Sequence, residues 1–216
     1  LLSSDAIEFI HLKNIMVENR DYTLIIDKSG SMSIPDQPGG KTRWQVAQES
    51  TLALARKCEE FDPDGITIYL FSGRFQRYDN VTAAKVEQIY QENEPMGQTN
   101  LVAVLQDAVN SYFHRKASGQ SKPNGETILI VTDGEPDDRI AVMEVIIKAT
   151  RKMERNEELA ISMIQVGSDA KATRFLKAFD DDLQGLGAKF DIVDTMTMDD
   201  MEEMPLKEVL LRAIVD

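Results

Sequence analysis

The feature that most constrains this chain is a series of short, nearly unbroken apolar runs separated by stretches of helical patterning. Tyr22–Ile26, Ile66–Phe71, Thr127–Asp133 and Leu159–Val166 are rich in β-branched and aromatic residues and show little polar alternation. Strands of that kind are covered on both faces, as in a parallel sheet with helices above and below it. A last strand is predicted at Lys189–Val193, and Phe75–Tyr78 alternates as a short antiparallel edge piece would.

Helical signals fill most of the gaps. Leu101, Val104, Leu105, Ala108, Val109, Tyr112 and Phe113 lie on one stripe of period 3.6. Thr42 and Gln45 have the spacing of a capping box, opening a helix to about Lys57. Further helices are predicted over Thr82–Gln91, Asp169–Asp182 and from Pro205 to Val215, and another whose first turn holds Pro136. The fold class is therefore α/β: a doubly wound, mostly parallel central sheet with one short antiparallel edge strand and helices on both faces. Residues 1–20 carry Ala6, Ile7, Phe9, Ile10, Ile15, Met16 and Val17 without one clear period. They are expected to form an N-terminal extension, a short helix or strand packed on the edge of a domain spanning 21–216.

Composition narrows the function. With 216 residues, 42% of them hydrophobic, the chain can bury a full core. A formal charge of −13 argues against nucleic acid or an anionic membrane surface as partner, since both call for a basic face. The single cysteine, Cys58, excludes a disulfide within the chain and falls on the apolar face of a predicted helix. That fits a reducing compartment, and a cytoplasmic location is expected. No apolar run approaches the ~20 residues of a membrane span, so no membrane insertion is expected.

The chemistry gathers at strand ends. Asp27-Lys28-Ser29-Gly30-Ser31 follows the first strand and offers one carboxylate and two hydroxyls from a tight loop. A hard cation such as Mg²⁺ takes about six oxygens at roughly 2.1 Å, some of them water, so this is half a site. Gly30 is expected at positive φ to let both hydroxyls converge. Alone, the stretch reads equally as a Ser/Gly turn. Thr99, just before a helix, and Asp133, ending another apolar strand in Thr132-Asp133-Gly134, each supply a further oxygen. In open α/β sheets ligands sit outside the carboxyl ends of the strands, where Asp27 and Asp133 both stand.

Together these stretches resemble the von Willebrand factor type A (VWA) domain, whose metal-ion-dependent adhesion site (MIDAS) combines Asp-x-Ser-x-Ser, a threonine and a Thr-Asp-Gly aspartate in this chain order. Asp27, Ser29, Ser31, Thr99 and Asp133 match that pattern without a gap, and the resemblance runs from about Asp21 to the C-terminus. It implies a Rossmann-like VWA fold and a Mg²⁺ ion, with Mn²⁺ or Ca²⁺ as substitutes, held by those five residues. Ser29 and Ser31 are expected as direct ligands, and Thr99 and the aspartates as ligands either direct or bridged by water. It also implies a non-enzymatic module in which an Asp or Glu from another protein completes the coordination. Similar intracellular domains extend the partner to an AAA-type ATPase, a multiprotein assembly such as a maturation complex, or an adhesive target. Asp36, Glu135, Asp137 and Asp138 at the rim would disfavour an acidic guest unless Lys28, Lys41, Arg43, Arg74 or Arg139 offsets them.

Rival readings are weaker. A metal-dependent phosphoryl hydrolase using Asp27, in the manner of haloacid-dehalogenase-like phosphatases, requires a second Asp two residues on, where this chain has Ser29. Gly39-Gly40-Lys41-Thr42 resembles the end of a phosphate loop, but the residue at the first glycine position is Pro35. His11 and His114 lack a triad context, Ser29 lacks a nucleophile elbow, and one Cys with two His does not make a zinc site. A metal-independent scaffold domain is the remaining alternative.

Overall fold

The computed structural model describes residues 3–215; the side chains of Asp5, Ala6 and Ile7 lie outside the described residues. Six strands form one sheet: β1 (Asp21–Asp27), β2 (Ile66–Phe71), β3 (Phe75–Val81), β4 (Glu126–Thr132), β5 (Leu159–Gln165) and β6 (Val193–Thr197). Their spatial order is β3-β2-β1-β4-β5-β6, with every neighbouring pair parallel except β2 and β3. The expected mostly parallel sheet with one antiparallel edge strand is what forms. Strand order reverses direction between β1 and β4, whose carboxyl ends flank the crevice where such sheets bind ligands.

Burial follows the strand period. Leu24 and Ile26 of β1 and Leu129 and Val131 of β4 enter one core layer; Ile25, Ile128 and Ile130 enter the opposite one. The first layer is closed by α2 (Arg43–Phe61), α3 (Ala83–Gln91), α7 (Met198–Glu202) and α8 (Leu206–Arg212). The second is closed by α4 (Leu101–Ala117), α5 (Arg139–Lys152) and α6 (Ala170–Asp182). Each fully buried Leu or Ile in these layers contributes ~1.5–3 kcal/mol relative to exposure. Cys58 of α2 is one of the small buried residues.

The N-terminal segment forms α1 (Ser4–Val17), which packs on α8. Its exit is pinned by Tyr22, whose hydroxyl donates to Val17 O at 2.7 Å, and by Asn124 Nδ2, which donates to Ile15 O and Glu18 O. No helix among the described residues is long and apolar enough to cross a membrane.

Several boundaries differ from the sequence reading. The last strand begins where the predicted one ends: Phe190 and Ile192 are apolar because they pack as loop residues on the α5–α6 layer, and pairing to β5 runs from Val193. Pro136 lies in the turn ahead of α5 rather than in its first turn, and Asp138 caps the helix by accepting Ala141 N–H at 2.9 Å. The helix opened by Thr42 continues four residues past Lys57, because Cys58 still faces the core and Phe61 packs against it. The segment expected as one helix from Pro205 to Val215 is helical over α8 only.

Candidate metal centre

Asp27 ends β1 with no exposed surface. Its Oδ1 accepts the backbone N–H of Ser29 and its Oδ2 accepts the hydroxyl of Thr132, both at 2.7 Å. These donors are neutral. Burial pushes the carboxyl up to about 6, and the hydrogen bonds from Ser29 and Thr132 pull it back only in part.

The chain then turns through one 3-10 turn, Gly30–Ser33, held by Met32 N–H to Ser29 O and Ile34 N–H to Ser31 O and anchored by buried Met32. This turn brings Ser29 Oγ within 3.1 Å of Ser31 Oγ, and Ser31 Oγ donates to Asp133 Oδ1 at 2.9 Å. Gly30 does not need positive φ, contrary to the expectation: a Cβ there would make an ordinary 3.7 Å contact with Gly97 O. The left-handed residue is Gly97, φ 87°, on the facing loop. Its carbonyl accepts Gly30 N–H at 3.0 Å, and Met96 N–H donates to Lys28 O at 2.7 Å.

Those bonds carry the loop before α4, and Thr99 with it, against the loop after β1. Thr99 O in turn accepts Asp137 N–H at 3.0 Å, which ties in the loop after β4. Ser29, Ser31 and Asp133 are thus linked side chain to side chain, Asp27 joins them through the Ser29 N–H, and Thr99 joins through its backbone. Among the described residues, the Thr99 hydroxyl makes no hydrogen bond to the other four.

Two neighbours of the site escaped the sequence reading. Thr132 was passed over as part of the strand, yet its buried hydroxyl holds Asp27; the signal was its place immediately before Asp133. Arg43, named only as one of several rim cations, donates from Nη1 to Asp133 Oδ2 at 2.9 Å. Its Nε and Nη2 grip Asp36, the shortest of those bonds being 2.6 Å. Hydrogen bonding to Asp36, then to Asp133, holds the guanidinium above its ordinary range, while Asp36 is brought down to about 2, chiefly by Arg43. The other rim charges have plainer roles: Lys41 pairs with Glu49, Lys28 reaches Asn93, and Asp138 caps α5.

The donor set fits a hard cation in two respects. All its side-chain donors are oxygens, and since no group of three or more His, Cys, Asp or Glu that could hold a metal occurs among the described residues, hydroxyls rather than further carboxylates would have to complete the set. Adjacent ligands of an octahedral ion at roughly 2.1 Å lie about 3.0 Å apart. The Ser29–Ser31 and Ser31–Asp133 separations of 3.1 and 2.9 Å have that spacing.

A family model described as the von Willebrand factor type A domain matches residues 22–135, just over half of the chain. No curated protein sequence matches. Among solved structures, the manganese-loaded TRAP protein of Plasmodium vivax superposes with TM-score 0.58 at 17% identity, over 88% of this chain and 74% of that one. The D319A mutant of the PilB minor pilin from Streptococcus sanguinis gives 0.59 at 13% identity, and proximal thread matrix protein 1 from the mussel byssus gives 0.54 at 17%. This chain is covered to 91% in both, but spans only 60% and 48% of those proteins. At these identities the structural likeness speaks for the fold alone, while the family match covers β1 through the Thr-Asp-Gly turn, including all five candidate residues. The chain belongs to the von Willebrand factor type A domain family.

Proposed function

We propose that this domain is a non-enzymatic protein-interaction module whose Asp27, Ser29, Ser31, Thr99 and Asp133 hold a divalent cation, Mg²⁺ by preference with Mn²⁺ or Ca²⁺ as substitutes. Bound there, the ion supplies a Lewis-acidic position for a carboxylate from an Asp or Glu of a partner protein, such as an AAA-type ATPase or another member of a multiprotein assembly. The observation that carries this reading is the Ser29–Ser31–Asp133 oxygen chain at octahedral spacing beside a buried Asp27 that only neutral groups contact. The serine hydroxyls bring ligand atoms without charge, so they leave the cation's charge available to a guest. Asp27 organises the loop by holding Ser29 N–H, and Thr132 orients Asp27. Manganese in the TRAP relative is in keeping with this choice of ion.

The test is a Mn²⁺ titration followed by the electron paramagnetic resonance signal of free Mn²⁺, with a partner pull-down run in Mg²⁺ and in chelator. Ser29→Ala is expected to weaken Mn²⁺ binding at least ~10-fold and to abolish Mg²⁺-dependent capture. Equal Mn²⁺ binding by both proteins would remove Ser29 from the site, and capture indifferent to chelator would favour the metal-independent scaffold.

A further inference from the structure

Arg43 is a cation placed where a helix least favours one. It is the first residue of α2, where the helix dipole repels positive charge, yet it is largely buried, its side chain 13% exposed. The surroundings are built to hold it. Asp133 takes one edge of the guanidinium and Asp36 the other. On the loop after β5, Gly167 (φ 78°) leaves the space: a Cβ there would stand 3.3 Å from Arg43 Nε and 3.6 Å from Gln37 Nε2. The 3.3 Å approach to Nε is tight enough that Arg43 would have to shift, so residues 36, 133 and 167, from three separate loops, meet on this one side chain.

Its charge bears on what the site can hold. Asp133 has committed Oδ2 to Arg43 and Oδ1 to Ser31, so both its oxygens are engaged before any ion arrives. Asp27 and Asp133 alone would cancel a divalent cation. With Arg43 and its second partner Asp36 both included the loaded centre sums to zero, but the guanidinium stands directly against Asp133 while Asp36 lies on its far edge, so the positive charge is the nearer of the two to the ion. Asp36 sits on the far edge of the guanidinium with its side chain 38% exposed, so solvent screens its opposing charge more strongly.

We propose that Arg43 is the specificity-determining residue of this centre, a resident cation that weakens metal binding in exchange for offsetting the site's own carboxylates toward an anionic guest. The inference rests on the metal-centre reading above. Even at the dielectric of bulk water, a unit charge ~6 Å from a divalent ion changes the binding constant by about a decade, and more in a partly buried site.

The experiment compares wild type, Arg43→Gln and Arg43→Lys in the full chain. Mn²⁺ affinity is read by electron paramagnetic resonance, and acetate binding to the Mn²⁺-saturated proteins by paramagnetic broadening of the acetate methyl resonance. Arg43→Gln, which keeps donors but loses the charge, should bind Mn²⁺ ~10-fold more tightly and acetate several-fold more weakly. Arg43→Lys, which keeps the charge but loses the fork, should stay within about 3-fold of wild type for both. Weaker or unchanged Mn²⁺ binding by Arg43→Gln would overturn the proposal and make Arg43 a prop for Asp133. Wild type that binds no Mn²⁺ at millimolar concentration would overturn the metal-centre reading itself, a different outcome from a wild type that binds while the variants fail to separate.

Discussion

The two ends of the sheet treat buried charge in opposite ways. At the amino ends of β1 and β4, Glu126 is fully buried but accepts from Arg115 and from the Thr23 hydroxyl, and Arg115 also holds Asp21. Asp62 is met by Lys122 and Glu158 by Lys116, both at 3.1 Å. Arg20 is satisfied by the carbonyls of Asn124, Glu126 and Glu157 and by the Thr127 hydroxyl. At the carboxyl ends, Asp27 is just as buried and receives one amide and one hydroxyl. The first arrangement is self-contained, and its charges serve to lock strand order. The second gives its carboxylate neutral partners alone, which is in keeping with the metal centre proposed there.

The hardest blow to this contrast falls at the amino end. Arg115→Met would leave Glu126 and Asp21 without their guanidinium, and should cost about 3 kcal/mol in urea denaturation at pH 7, with no effect on Mn²⁺ affinity. A loss below 1 kcal/mol would mean that the amino-end network is not holding the sheet together.

Asp27→Asn probes the other end and should act with the opposite sign. Asparagine keeps an oxygen for Ser29 N–H and can donate from its amide to Thr132, whose hydroxyl turns to accept. In chelator at pH 7.5 the variant should be more stable than wild type by about 1–2 kcal/mol, while Mn²⁺ binding is lost. The pH dependence follows from the raised carboxyl. Its folded value near 6 exceeds the unfolded value of 3.8, so the folded state binds the proton more readily between them. The stability this group contributes is complete below about pH 4 and disappears as pH rises through about 6. The gap between variant and wild type should therefore open over that window; a gap constant from pH 4 to 8 would show that burial of Asp27 is not what sets it.

The same contrast explains what could be read from the sequence. Of the candidate residues, the strand-end positions of Asp27 and Asp133 were legible from the apolar runs, and the set of five came from the resemblance; the structure brings Asp27, Ser29, Ser31 and Asp133 together and Thr99 through its backbone alone. The capping box was legible as a local pattern: Thr42 Oγ1 accepts Gln45 N–H at 3.1 Å and Gln45 Oε1 accepts Thr42 N–H at 2.8 Å. Arg43 was not, since its meeting with Asp133, ninety positions away, depends on the path of residues 34–41 and on the space at Gly167. The β6 boundary was lost because polar residues occupy it. Asp194 is buried in mid-strand against Arg212 of α8 at 3.0 Å, and Thr195 reaches Asp180 of α6, so local pattern points away from a strand that tertiary pairing secures.

The smallest effect isolates the one contact by which the sheet itself holds Asp27. Thr132→Val is nearly isosteric and keeps β-branching in a fully buried strand, so packing and propensity change little. What goes is a hydroxyl donating to a carboxylate at 2.7 Å, a charge-assisted bond worth about 1.5–2 kcal/mol when Asp27 is ionised and about 1 kcal/mol or less when it is protonated. In chelator the destabilisation should thus be larger at pH 8 than at pH 4, whereas a cavity would cost the same at both. In an Asp27→Asn background the pH dependence of the Thr132→Val effect should vanish, and the shortfall in the double-mutant cycle would measure the coupling directly. Were the two substitutions strictly additive at pH 8, Thr132 would be a packing residue, and Asp27 would have to be positioned by its own loop alone.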